Sequence, residues 1–126
     1  MTKLIPLFDT LDFHQIHNEE VVRTLASKSE KELNEYTYLF KFLAHYTGSV
    51  DTFNTYRREV ERFFHWSWLI NNTGILGCDS LDIQNYIKFC RRPPDDWCNS
   101  TTIHRFLYKN ALRVPNIKWR PFKKNI

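Results

Sequence analysis

Glycine is scarce in this sequence, with three among 126 residues, and neither Asn-Gly nor Asp-Gly occurs. Tight two-residue hairpins draw on such pairs, so an all-β sandwich or barrel is disfavoured and helices are the default. Long apolar runs are missing too. Nothing approaches the roughly 18 consecutive apolar residues of a spanning helix. The opening MTKLIPLFDTLDF is interrupted by Pro6 and Asp9 and holds no signal-peptide h-region. No membrane contact is therefore expected, and a cytoplasmic location is. The three cysteines, Cys78, Cys90 and Cys98, are an odd set at spacings that match no zinc pattern, so they read as reduced thiols. No metal and no cofactor is expected. Repeats with periods of about 20–50 residues and low-complexity tracts are also absent.

What is present is apolar and aromatic. Apolar residues make up 42% of the chain and aromatics 16%, which excludes a disordered chain, while a negative mean hydropathy excludes a membrane protein. The length suits one domain with tails. A formal net charge of +4 is compatible with an anionic partner but shared by many proteins that touch no nucleic acid.

The expected organisation is an N-terminal extension over 1–28, a helical domain over 29–92 and an extended segment over 93–126. A short helix fits NEEVVRTLASK, where Asn18 can cap and Glu19 and Glu20 favour the first turn. The next helix spans Ser29 to Tyr46, with a Ser29–Glu32 capping box and Leu33, Tyr36, Phe40 and Leu43 at helical spacing. After the Gly48 break, a second main helix runs from Val50 to Asn71 or Asn72. Phe53, Tyr56, Val60, Phe63 and Ile70 form its apolar stripe, and Arg57, Arg58, Glu61, Arg62 and His65 its opposite face. A third begins at Asp79 or Ser80, turns Ile83, Tyr86, Ile87 and Cys90 inward and stops at Pro93-Pro94. Beyond it no helical stripe is visible, and the expectation is a long extended arm with one short strand around Ile103 to Tyr108.

The stretch TFNTYRREVERFFHW, residues 52–66, concentrates the candidate chemistry. The N–H groups and positive dipole end at Val50 to Phe53 suit a phosphate, and Ser49, Thr52 and Thr55 can donate hydroxyls. Arg57, Arg58 and Arg62 extend the positive face. The plainer reading of the same residues is a pair of caps and a solvated face in which the arginines pair with Glu59 and Glu61. Core packing explains the aromatic stripe, Tyr56 included, better than a base-stacking platform does. His14-x-x-His17 has no carboxylate or cysteine partner and is expected at the surface.

Taken together, Thr52, Tyr56, Arg57, Arg58, Glu59, Arg62, Phe63 and Trp66 carry a family likeness. They are preceded by Phe42-Leu43 and the Ser49 turn and followed by Ser80, Leu81, Asp82, Ile83 and Tyr86. In order and spacing they resemble the N-terminal core-binding domain of tyrosine recombinases, the phage-integrase family. PPDDWC, RVPN and WRPF look like a connecting segment of one bacterial branch. The resemblance covers about Glu30 to Phe122.

It implies an all-α, small SAM-like bundle of three main helices with a possible short N-terminal one. It also implies double-stranded DNA as partner, with Ser49, Thr52, Thr55, Arg57, Arg58 and Arg62 facing it. Lys118, Arg120, Lys123 and Lys124 become candidate backbone contacts in the tail. A bacterial, nucleoid-associated protein that clamps its site beside other recombinase protomers is the further implication. The family's catalytic residues form an Arg…His-x-x-Arg…Tyr series that this sequence does not contain. Its fourth core-binding helix would follow WRPF. The chain alone is therefore expected to be no enzyme. Two rivals stay open, a non-enzymatic helical DNA-binding regulator and a SAM-like protein-interaction module.

Overall fold

The computed structural model describes residues 4–14 and 17–124. Four α-helices, α1 (Glu19–Ala26), α2 (Glu30–Ala44), α3 (Val50–Leu69) and α4 (Ser80–Arg91), carry most of the fold. Each begins where a short polar side chain can take an otherwise orphaned N–H. Asn18 accepts from the N–H of Glu20 and Val21, Ser29 from Glu32 and Ser49 from Thr52. The reciprocal capping box forms at Asp79 and Asp82 rather than at Ser29 and Glu32.

The core is built around the N-terminal segment. Ile5, Leu7 and Phe8 are buried among Val21 and Leu25 of α1, Tyr36, Leu39 and Leu43 of α2, Phe53 and Phe64 of α3, and Phe106. Residues 5–9 are buried yet belong to no sheet, so their backbone groups need side-chain partners. Helix α3 supplies them. Glu61 accepts the N–H of Leu7 at 2.6 Å and of Phe8 at 3.3 Å, and His65 Nε2 donates to the Ile5 carbonyl at 2.7 Å. Arg105 donates to the Phe8 carbonyl and to both oxygens of Glu61. Arg113 grips Asp9 with two hydrogen bonds of 2.6 and 2.9 Å.

The expected orientation of α3 is corrected by this arrangement. Its buried side holds Phe53, Glu61, Phe64 and His65, so two residues assigned to the polar face lie in the core. Tyr56, expected inside, is 39% exposed, and Val60 and Phe63 are only partly covered. A helix that serves a buried backbone must turn polar groups inward, which a hydrophobicity pattern ranks the wrong way. His14, expected at the surface, is buried as well. Its Nε2 donates to the Phe40 carbonyl at 3.0 Å, and the ring stacks on Phe40.

A buried carboxylate also closes the turn after α3. Glu35 accepts from Trp68 Nε1 at 2.9 Å, Ile75 N–H at 2.9 Å and Leu76 N–H at 3.4 Å. Gly74 fits this crossing because an added Cβ would lie 2.6 Å from the Trp68 ring and 2.7 Å from Glu35. Gly74→Ala is expected to cost about 1–3 kcal/mol of stability through overpacking, read by thermal or urea denaturation; a neutral result would show that the Glu35 clip shifts freely.

The architecture is mostly helical but not purely all-α, and residues 93–124 do not form a free extended arm. Strands β1 (Cys98–Asn99) and β4 (Phe122–Lys123) pair in parallel, and β2 (Phe106–Lys109) and β3 (Leu112–Pro115) form an antiparallel hairpin. The expected strand near Ile103 to Tyr108 thus exists, shifted toward the C-terminus and provided with a partner. Its turn uses Asn110 and Ala111 at φ 53° and 66°, two successive left-handed residues in place of an Asn-Gly pair. Trp97, Phe106, Trp119 and Phe122 are buried and dock the segment. Trp97 meets Phe89 of α4 edge-on at 4.9 Å.

Helix α4 lies more open than expected. None of its residues is fully buried, and Ile83 and Ile87 are 45% and 46% exposed. Tyr86 fastens it to Phe63 at 4.8 Å and to Trp66 at 5.5 Å.

Candidate nucleic-acid interface

The amino half of α3 presents an uncovered edge. Ser49, Thr55 and Arg58 are exposed and Thr52 is partly exposed. At Gly48, immediately before the cap, a side-chain carbon would meet nothing within 4 Å. The backbone there is unobstructed. The hydroxyls already have local work, since Ser49 Oγ caps Thr52 N–H at 3.3 Å and Thr55 Oγ1 donates to the Asp51 carbonyl at 2.9 Å. Each oxygen keeps a lone pair, and rotation frees its proton. Asp51 in the first turn weakens the pull of the helix end on an anion.

The three arginines separate. Arg58 points outward, 3.6 Å from Glu59. Arg62, one turn on and partly buried, donates from Nε to the Pro121 carbonyl at 2.9 Å and lies over the Phe122 ring at 4.2 Å. It therefore fastens the C-terminal segment to α3 beside Arg58. Arg57 turns to the core side, toward Glu61 and Arg105. Its Nε is buried without an acceptor, and burial first, then the Arg105 charge, push its pKa down to about 10.

The tail candidates divide in the same way. Arg120 is a strut, donating to the carbonyls of Asp96, Ile117 and Trp119. Lys118, Lys123 and Lys124 are exposed, with Lys124 Nζ 3.8 Å from Asp95. Docking of Pro121 and Phe122 against Arg62 brings the end of the segment to the same side of α3 as Arg58 and Thr55, which share a helix face by their three- and four-residue spacing. Ser49 stands at the end of that edge, whereas Arg57 lies off it.

Sequence reasoning missed Arg105 and the inward roles of Glu61 and His65. The Glu61–Arg105 pair is 44 residues apart and leaves no local signal. It also missed an open apolar groove of about 340 Å³ between α3 and α4, lined by Val60, Phe63, Ile83, Tyr86 and Ile87 with Glu59 at its rim. Among the described residues no group of three or more His, Cys, Asp or Glu side chains stands together as metal ligands would. None of their helices is long and apolar enough to cross a membrane.

No family model matches the chain, and neither does any curated protein or solved structure.

Proposed function

We propose that this chain binds double-stranded DNA as the core-binding domain of a tyrosine recombinase, recognising and clamping the target site beside other protomers. The observation that supports it best is the uncovered amino edge of α3. Ser49, Thr55 and Arg58 stand there on one exposed side with open backbone at Gly48. Partly exposed Thr52 flanks them. Hydroxyls, a helix amino end and an arginine are the usual donors to phosphate oxygens, and they fix register without reading bases. Lys118, Lys123 and Lys124 would extend the contact along the backbone, while Arg62 and Arg120 hold the segment that carries them. Strand breakage and rejoining by phosphoryl transfer to tyrosine would belong to a catalytic domain other than these residues.

Titration of duplex DNA against salt tests the reading. Affinity should fall with a log–log slope of about −0.9 per neutralised phosphate. Arg58→Glu should weaken binding while changing stability by no more than about 0.5 kcal/mol, because the side chain is exposed. No duplex binding at low salt by the folded chain would overturn the proposal.

A protein-interaction module is the second reading, favoured by the open groove between α3 and α4. It takes the lead if duplex binding is absent.

A further inference from the structure

The Glu61 cluster holds more positive charge than its carboxylate can satisfy. Glu61 is almost wholly buried, and its oxygens are taken by Arg105 and by the N–H groups of Leu7 and Phe8. Arg57 sits one helical turn before Glu61 but makes no hydrogen bond to it. Among the described residues its Nε is buried with no acceptor. The other nearby carboxylate, Asp9, is held by both Nε and Nη2 of Arg113. Among the described residues, a half-buried guanidinium is thus left without a hydrogen-bonded counter-ion at a place where solvent compensates it poorly.

We infer that Arg57 is a phosphate-binding residue whose anion comes from outside the chain, kept unpaired because Arg105 occupies Glu61. Resting on the DNA-binding reading above, the inference names the backbone phosphate of a duplex as the ligand. It assigns Arg57 a contact distinct from the exposed α3 edge. The two Nη groups of a guanidinium suit two oxygens of a phosphate, and partial burial strengthens the bond relative to one in open solvent. The depressed pKa of Arg57 agrees, since burial, Arg105 and Arg58 outweigh the attraction of Glu61 and Asp9.

The test compares the parent chain with Arg57→Met and Arg57→Gln. Thermal stability is measured with inorganic phosphate replacing chloride at constant ionic strength, and duplex affinity is measured against salt. Phosphate should raise the Tm of the parent chain by more than that of either variant, since an anion that binds only the folded state stabilises it by mass action. In chloride the methionine variant should be at least as stable as the parent, and its duplex salt slope should be shallower by about one.

Loss of stability or failure to fold in both variants would show that Arg57 balances Glu61 structurally and would overturn the inference. So would a phosphate effect as large in both variants as in the parent chain. An unchanged salt slope in variants that still bind duplex would overturn the DNA contact at Arg57 and leave the proposed function standing. Phosphate stabilisation that depends on Arg57 in a chain that binds no duplex would sink the DNA reading. It would support the anion site with a free phosphate species as ligand.

Discussion

Arg105→Met is expected to lower folding stability by about 3–5 kcal/mol, the range for leaving a buried charge without its partner. Glu61 would remain in the core with only the Leu7 and Phe8 N–H groups to satisfy it. The Phe8 carbonyl would lose the donor that Arg105 provides. Methionine keeps the length and apolar contact of the stem, so the loss reports the charge and the hydrogen bonds rather than a cavity. Urea denaturation at neutral pH measures it. A loss below about 1 kcal/mol would show that Arg57, one turn from Glu61, swings in to replace Arg105. Because the partners join α3, the N-terminal segment and the chain just before β2, the substitution should also loosen the C-terminal hairpin. Amide exchange at Phe106 to Lys109 reads that effect.

Acid should destabilise the fold by about 3 kcal/mol through His65 alone. Burial lowers the His65 pKa from 6.5 to about 4, against opposition from the Glu61 charge and the hydrogen bond to the Ile5 carbonyl. The folded chain therefore holds the ring neutral while the unfolded chain protonates it. Above pH 6.5 both states are neutral and stability is complete; it declines as pH falls through the interval to about 4, where the folded ring finally charges. Burial lowers the His14 pKa too, which adds loss in the same direction. The Glu61 carboxylate, held below its ordinary range by Arg105 and Arg57 despite burial, adds further loss on the acid side. His65→Gln retains a donor for Ile5 and should flatten the stability profile between pH 6.5 and 4. A profile as steep as the parent's would assign the acid sensitivity elsewhere.

The helices were legible from local chemistry. Asn18, Ser29, Ser49 and Asp79 each cap the helix start that the sequence indicates, since capping is settled within three residues. Tyr36 and Leu43 are buried as the α2 spacing implies. The uncovered positions of Ser49, Thr55 and Arg58 at the candidate edge follow from the same local reading. What misled the assignment of faces was polarity. Glu61 and His65 look like surface residues, yet they serve the backbone of Ile5, Leu7 and Phe8, a requirement that exists only once that segment is inside.

By itself, then, the sequence determined a predominantly helical chain, where its helices begin, and the concentration of hydroxyls and arginines around the start of α3. These depend on residues within one or two turns of each other. Tertiary structure alone decided which arginine faces solvent, which one fastens Phe122 and which one buries an Nε that has no acceptor among the described residues. It also decided that the C-terminal residues fold back as a hairpin and a two-residue parallel pair instead of trailing away. Such outcomes rest on contacts between residues dozens of positions apart, where loop closure must be offset by burial of several groups at once. No short pattern records that cooperation.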